Sequence, residues 1–181
     1  MRFSAVLLAG GKSTRMGRDK ALLEIEGEPL WRRQLATLRR LSPERMIISG
    51  PPRDGCIAVE DEIEGAGPLA GVAVALQKCT SPLLVVLAVD LPRMTTDFLQ
   101  SLLALCRDGK GAVPRGPGFF EPLAAVYPAA CAGLAAAALH SADFSMASFV
   151  RAAMEQKLLV SRTILPSEVS LFTNLNTPAD L

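Results

Sequence analysis

The sequence predicts a three-layer α/β/α fold, with helices on both faces of a mostly parallel sheet and one antiparallel strand at its edge. Three observations lead to this prediction. Short apolar runs end abruptly at Gly, Pro or Asp, amphipathic helical patterns separate these runs, and 50% of the 181 residues are hydrophobic. Strands buried on both faces form uninterrupted apolar runs, and strands that alternate with helices are joined by right-handed crossovers. We therefore expect a single domain over residues 1–181.

The clearest strands and helices alternate through the first part of the chain. Apolar runs predict strands over residues 3–8, 45–49 and 83–88. Apolar residues at helical spacing predict one helix after Pro29, a second over residues 69–79, and a third over residues 98–106 that is capped by Thr95 or Thr96. Each helix returns the chain for another parallel strand.

The later part of the chain is less regular. Glycines and prolines between residues 111 and 118 predict a turn-rich segment, and residues 123–127 predict the antiparallel edge strand. Alanine-rich patterns near residues 131–139 and 146–156 predict two further helices.

Composition excludes several classes of function. The 19 basic and 18 acidic residues leave a net charge of +1, which provides no general attraction to nucleic acid. The apolar runs are too short to cross a bilayer, so we expect no membrane association and a cytoplasmic protein. The single histidine and four widely spaced cysteines cannot supply a zinc cluster or a Ser-His-Asp triad. We expect the cysteines to be reduced and mostly buried.

The segment after the first strand has the composition of a phosphate-binding loop. Gly10 and Gly11 allow backbone amides to approach an anion, while Arg15 and Lys20 supply positive charge. The spacing matches neither the G-x-x-x-x-G-K-[ST] loop nor the G-x-G-x-x-G loop, which disfavours kinase-type and dinucleotide-type sites. A solvated glycine loop without a ligand is the alternative interpretation.

A carboxylate closes the strand predicted over residues 83–88. Asp90 precedes Leu91 and Pro92, and the carboxyl ends of parallel strands meet at one edge, so we expect Asp90 beside the glycine loop. Mg²⁺ prefers hard oxygen ligands and completes its coordination with substrate phosphates, which makes Asp90 the candidate metal ligand. A turn or helix-capping aspartate before Pro92 is the alternative.

Together, four motifs resemble the molybdenum cofactor guanylyltransferases, which are nucleotidyltransferases with a Rossmann-like fold. The motifs are LAGGKSTRMGRDK at residues 8–20, Asp61 with GAGPLAG at 65–71, DLP at 90–92, and NLNTP at 174–178. The resemblance implies that the backbone of Leu8, Ala9, Gly10 and Gly11 holds the nucleotide. It further implies that Arg15 and Lys20 neutralise the triphosphate and that Asp90 binds Mg²⁺.

The same resemblance gives roles to three further polar residues. The carboxylate of Asp61 can accept both N1–H and N2–H of guanine, and the amides of Asn174 and Asn176 can donate and accept at a pterin edge. The alternatives are an ordinary acidic loop for Asp61 and a plain start of a terminal helix for the asparagines. The resemblance also divides the domain into a nucleotide-binding half, residues 1–110, and an acceptor-binding half, residues 111–181.

Two positions depart from the family's pattern. Glu121 stands where relatives often carry histidine on the acceptor side, and Ser49 stands where they commonly carry asparagine beside the nucleotide. Both contacts are therefore in question.

The resemblance implies an enzyme that uses GTP and Mg²⁺ to transfer GMP to molybdopterin, with possible transient contact with other cofactor-biosynthesis proteins. Two alternatives stay open. One is another nucleotidyltransferase on the same scaffold, acting with CTP or on a sugar or polyol phosphate. The other is a nonenzymatic nucleotide-binding partner of a cofactor-insertion protein.

Overall fold

The computed structural model describes residues 1–10, 20–53, 55–59, 63, 65–107 and 109–175. Within these residues the strands are β1 (Ser4–Leu8), β2 (Glu24–Ile25), β3 (Glu28–Pro29), β4 (Met46–Ser49), β5 (Ile57–Val59), β6 (Leu83–Ala88), β7 (Gly111–Gly116), β8 (Phe119–Phe120), β9 (Ala124–Pro128) and β10 (Leu159–Thr163). The helices are α1 (Leu30–Arg39), α2 (Pro68–Lys78), α3 (Thr96–Leu103), α4 (Ala132–His140) and α5 (Met146–Glu155). Short 3₁₀ helices cover Lys20–Leu22, Ala129–Cys131 and Pro166–Phe172.

One mixed sheet organises the molecule. Its strand order is β10-β7-β9-β6-β1-β4-β5, β8 pairs with β7, and β2 and β3 form a separate hairpin. The contacts of β1 with β4 and β6, of β4 with β5, and of β7 with β10 are parallel, whereas β9 is antiparallel to both of its neighbours. The mostly parallel sheet that the sequence predicts is confirmed.

The antiparallel strand lies elsewhere in the sheet than the sequence predicted. β9 has the expected orientation, but it lies between β6 and β7 rather than at an edge. The difference arises because β7 and β10 were not predicted as strands: β7 pairs with the side of β9 that would otherwise be exposed, and β10 pairs with β7 beyond it. β10 escaped prediction because only part of its LVSRT sequence is apolar and buried.

Two apolar cores lie on opposite faces of the sheet, which confirms the three-layer architecture. Alternate residues of β1 and β6 face each core, as the twofold repeat of a strand requires. Helices α1 and α3 cover one face, and α2, α4 and α5 cover the other. None of the described helices combines the length and the apolar character needed to cross a bilayer.

The segment predicted to be rich in turns is mostly strand. A Cβ atom at Gly111 would lie 2.0 Å from the carbonyl oxygen of Val126, and one at Gly116 would lie 2.4 Å from the ring of Phe119. These glycines therefore allow β7 to approach β9 and β8 closely, and the turn is confined to residues 117–118. The prediction for residues 111–116 was wrong because it interpreted every glycine as a turn signal.

The helix predictions are confirmed to within a few residues at their ends. Thr95 caps α3, because its side-chain oxygen accepts a hydrogen bond of 3.2 Å from the amide of Phe98. The four cysteines, all within the described ranges, form no disulfide. Burial raises the pKa of Cys106 to about 11 and that of Cys131 to about 12, so both thiols stay protonated at neutral pH.

Candidate functional site

Three neighbouring strands end side by side at one edge of the sheet. Leu8 of β1 is in register with Ser49 of β4 and with Ala88 of β6. Beyond these residues, the amide of Ala9 donates to the carbonyl oxygen of Ser49 at 2.8 Å, and the amide of Val89 donates to that of Leu8 at 3.0 Å. The glycine loop and the turn that carries Asp90 therefore leave the sheet next to each other.

Glycines allow the loop after β1 to pack directly on the turn after β4. Gly50 has a φ of 128°, and a Cβ atom there would lie 2.8 Å from the nitrogen of Gly10 and 2.9 Å from the carbonyl carbon of Ala9. This close contact fixes the backbone of Leu8, Ala9 and Gly10 at the carboxyl edge. Gly11 and Arg15, which were predicted to bind the nucleotide, lie outside the described residues, as does the rest of the 11–19 loop.

We expect Gly50→Ala to destabilise the fold much more than Gly27→Ala. Both glycines have a positive φ, which costs an L-residue about 1–2 kcal/mol, but nothing lies within 4 Å of a Cβ atom at Gly27. Overpacking against backbone adds about 1–3 kcal/mol at Gly50. Urea unfolding of both variants measures the difference, and equal losses of unfolding free energy would contradict the close approach at Gly50.

Asp90 is held at the end of β6 by contacts on both sides of its turn. Its carbonyl oxygen accepts a hydrogen bond of 3.0 Å from the amide of Leu175, and the next carbonyl oxygen, that of Leu91, accepts one from the side-chain amide of Gln34. The carboxylate is half-buried, and this burial raises its pKa, while the positive charge of Lys20 acts in the opposite direction. A partly dehydrated carboxylate thus faces the carboxyl edge with a lysine nearby.

The positive charge of Lys20 acts on Asp90 from the start of a 3₁₀ helix that is anchored in the core. Ala21, the next residue, is fully buried, and the carbonyl oxygen of Lys20 accepts the amide of Leu23 at 3.1 Å. The structure therefore brings together two residues that are 70 positions apart in the chain and that the sequence placed in one site.

The donor set around Asp90 fits Mg²⁺ better than a metal that needs several protein ligands. Within the described residues, no three His, Cys, Asp or Glu side chains gather into a cage. Mg²⁺ is commonly held by one or two carboxylates together with substrate phosphates. Asp90, half-buried beside an amide-rich loop end, supplies the hard oxygen such a site requires.

The first turn of α2 lies against the same strand ends. Gly67 precedes the helix with a φ of 62°, and no side chain of the described residues caps the first amides. A Cβ atom at Gly71 would lie 2.5 Å from the side-chain oxygen of Ser49 and 3.1 Å from Leu8. The positive end of the helix dipole is thereby close to the carboxyl ends of β1 and β4. Ser49 is only 2% exposed, so its hydroxyl lies beneath α2.

The C-terminal segment also meets this edge, at the Asp90 turn. Asn174 is exposed, and the adjacent Leu175, at 2% exposure, is bound through its amide to the carbonyl oxygen of Asp90. Asn174 therefore lies one residue from the contact with the candidate metal ligand, and its role toward the acceptor stays a prediction. Asp61 and Asn176 lie outside the described residues.

Glu121 belongs to the same edge because β9 runs against its neighbours. The carbonyl oxygen of Leu123 accepts the amide of Ala88 at 2.8 Å, and the amide of Glu121 donates to the carbonyl oxygen of Pro114 at 2.9 Å. Between them, the carbonyl oxygen of Pro122 accepts the hydroxyl of the buried Tyr127 at 2.8 Å. Burial raises the pKa of the Glu121 carboxyl. The segment before β9 is therefore rigidly held beside the end of β6.

Sequence reasoning missed a cavity beside the Asp90 turn. It has a volume of about 380 Å³ and lies between the β2–β3 hairpin, α1 and the C-terminal segment, lined by Glu24, Ile25, Glu26, Arg33, Pro92, Arg93 and Leu175. The hairpin strands are only two residues long, which is too short for a pattern in the sequence.

Comparison with known proteins agrees with this architecture. A family model for the MobA-like NTP transferase domain matches residues 5–158. A protein of Opitutus terrae named "Probable molybdenum cofactor guanylyltransferase" is 40% identical over 185 residues, which cover 98% of this chain and 92% of that protein.

Two solved structures share the fold. Molybdopterin-guanine dinucleotide biosynthesis protein A from Archaeoglobus fulgidus matches with a TM-score of 0.74 at 23% identity, covering 98% of this chain and 94% of that one. The 2-C-methyl-D-erythritol 4-phosphate cytidylyltransferase from Thermus thermophilus matches with a TM-score of 0.70 at 19% identity, covering 97% and 93%. The predicted fold class is confirmed by these likenesses, which concern the fold alone.

Proposed function

The chain belongs to the MobA-like NTP transferase family, and from this premise we propose that it transfers GMP from GTP to the phosphate of molybdopterin. The observation that carries the proposal is the meeting of Leu8, Ala9, Gly10, Lys20 and Asp90 at one edge of the sheet. A triphosphate bound there lies between backbone amides, a positive charge and a carboxylate. The cytoplasmic location stays a prediction.

In the proposed reaction, an oxygen of the acceptor phosphate attacks the α-phosphorus of GTP. The bond between the α-phosphorus and the oxygen bridging to the β-phosphate breaks, and pyrophosphate leaves with that electron pair. Because the attacking phosphate is already an anion, no side chain has to remove a proton. The chain's contribution is therefore alignment of the two phosphates and neutralisation of their charge.

Each charged residue has a separate part in that neutralisation. Lys20, and Arg15 by analogy with the family, stabilise the negative charge that develops on the departing pyrophosphate. Asp90 would hold Mg²⁺, which supplies Lewis-acid stabilisation of the phosphate oxygens when it is bound. The half-burial of Asp90 favours this role, because a bound cation offsets the cost of dehydrating the carboxylate.

The guanine base would be recognised by a carboxylate, and the acceptor by neutral side-chain amides. Asp61 accepts from N1–H and N2–H of guanine, an arrangement that adenine and cytosine do not offer. Asn174 and Asn176 contact the pterin side of the acceptor, with residues 1–110 forming the nucleotide-binding half and residues 111–181 the acceptor-binding half. Transient contact with other cofactor-biosynthesis proteins is part of the same proposal.

We expect GTP with Mg²⁺ to raise the melting temperature, and ATP or CTP with Mg²⁺ to raise it much less. A ligand that binds only the folded state at a hundredfold excess over its Kd stabilises it by about 2.7 kcal/mol. For a chain of this size the stabilisation corresponds to roughly 5–10 °C. Thermal unfolding with each nucleotide measures the preference, and Asp61→Asn should remove the advantage of GTP over ATP.

Turnover distinguishes the proposed function from its two alternatives. The purified chain is incubated with molybdopterin, Mg²⁺ and either GTP or CTP, and both pyrophosphate and the dinucleotide product are measured. Product from CTP alone would indicate a cytidylyltransferase, a chemistry that the Thermus thermophilus structure shows this fold can carry. Binding of GTP without any pyrophosphate release would indicate a nonenzymatic nucleotide-binding partner.

A further inference from the structure

The geometry points to Arg162 and Glu168 as a positioning pair for the candidate site. Together they hold the C-terminal segment so that residues 173–175 dock against the Asp90 turn. The catalytic consequence rests on the proposed function, whereas the docking itself rests only on the contacts described below. Neither residue touches the triphosphate site, so their effect must pass through the segment they anchor.

Arg162 and Glu168 form a bidentate ion pair that is largely shielded from water. One guanidinium nitrogen of Arg162 donates to Oε2 of Glu168 at 2.8 Å and the other donates to Oε1 at 2.6 Å. Both side chains are 19% exposed, so the two parallel hydrogen bonds are partly shielded from water. Bidentate pairs of this kind fix orientation as well as distance. The bond from Arg162 lowers the pKa of Glu168, which keeps the carboxylate charged.

Glu168 also fixes the start of the helix that leads to the site. Its Oε2 accepts the amide of Leu165 at 2.9 Å, and this bond closes the first turn of the 3₁₀ helix Pro166–Phe172. One carboxylate therefore joins β10, through Arg162, to the helix that follows it. A 3₁₀ helix has weak internal hydrogen bonds, so this external tie matters for its position.

Phe98 of α3 provides the surface on which the pair and the helix meet. The guanidinium of Arg162 lies 4.5 Å from the centroid of the Phe98 ring. Phe172, at the end of the 3₁₀ helix, packs edge-on against the same ring, with centroids 5.2 Å apart and planes at 85°. Cation–π and edge-to-face contacts each add direction to the packing. The end of the helix is thus packed on Phe98 directly, and its start is linked to the same ring through Glu168 and Arg162.

The segment continues from this anchor directly to Asp90. Three residues after Phe172, Leu175 is 2% exposed in the same core as Phe98, and its amide donates to the carbonyl oxygen of Asp90 at 3.0 Å. Asn174 lies between these two fixed points. A change at the ion pair should therefore release Asn174 and one of the contacts that hold the Asp90 turn.

Amide hydrogen exchange of the whole 181-residue chain tests the docking without any assay of activity. In Glu168→Ala and Arg162→Ala, we expect the Leu175 amide to exchange at least about tenfold faster, while the Val89 amide, bonded to Leu8 inside the sheet, keeps its protection. Arg2→Ala is the matched control, because Arg2 pairs with Glu44 at the same 2.6 Å distance near the start of β1 and far from the site. Unchanged exchange at Leu175 would overturn the inference.

Steady-state kinetics then test the consequence for catalysis. For Glu168→Ala we expect a rise of about 10-fold or more in KM for the acceptor or in the Mg²⁺ concentration that gives the half-maximal rate. This is the usual effect of changing a residue that orients a metal ligand. The affinity for GTP should stay within about twofold of the wild-type value. Glu168→Gln keeps one acceptor oxygen and should recover part of the loss. Faster exchange at Leu175 with unaltered kinetics would overturn the positioning role. An inactive wild-type chain would instead contradict the proposed function, and the exchange result would still decide the docking.

Discussion

Asp90→Asn is expected to lower the rate of nucleotide transfer about a thousandfold while the melting temperature stays the same or rises. Removal of the charge weakens the hold on Mg²⁺, and charge stabilisation by a bound metal contributes several kcal/mol to such reactions, at about 1.4 kcal/mol for each tenfold change in rate. The substitution should stabilise the folded chain without ligand, because burial disfavours the charged form of Asp90. Loss of function with unchanged or increased stability is the signature of a binding carboxylate.

The measurement combines pyrophosphate release with thermal unfolding of the same samples. Asp97→Asn is the matched control, because Asp97 is an exposed carboxylate in the first turn of α3 and its loss should leave the rate near that of the wild type. If Asp90→Asn retained a tenth or more of the activity, or unfolded the chain, the metal role of Asp90 would be wrong.

Lys20→Met is expected to lower the rate about 100- to 1000-fold. This is the usual effect of removing one preorganised group that stabilises charge in the transition state. Methionine keeps much of the apolar stem of lysine, so the anchor at Ala21 stays packed. The negative charge of Asp90 also loses its nearby partner, so the pKa of Asp90 should rise further in this variant.

Single-turnover measurements separate the chemical step from GTP binding for this variant. Lys78→Met is the matched control, because Lys78 is exposed at the C-terminal end of α2, whereas the candidate site adjoins its N-terminal end. A variant Lys20→Met that binds GTP less tightly but reacts at the wild-type rate would assign Lys20 to substrate binding alone.

The central strands were predictable because burial on both faces requires a continuous apolar run in the sequence. β6 was predicted at its observed limits, and β1 and β4 to within one residue, since each is an apolar run that ends at a glycine, proline or aspartate. The peripheral strands were not predictable in this way. β5 and β10 are short or partly exposed, and β7 contains two glycines and a proline whose use in strand contacts depends on neighbours distant in sequence.

The candidate site was predictable where it follows from strand ends and not where it depends on tertiary contacts. The end of β1 and the Asp90 turn meet because parallel strands present their carboxyl ends at one edge, a rule that needs no coordinates. By contrast, nothing in the residues around Arg162 shows that it pairs with Glu168 over the ring of Phe98. Such contacts depend on the place of the antiparallel strand β9 between β6 and β7, which puts β7 and β10 further from the centre of the sheet.

Because β9 is antiparallel to its neighbours, the residues that precede it lie at the carboxyl ends of the parallel strands, and those that follow it lie at the opposite edge. Glu121 is tied to β7 through its own amide, and the adjacent Pro122 is tied to Tyr127. If the proposed function holds, we expect a selection experiment that varies residues 117–121 to alter the choice of acceptor more than the binding of GTP. Reversal of a single strand thus gives this edge contributions from two parts of the sheet, the segment before β9 and the segments that follow β1 and β6.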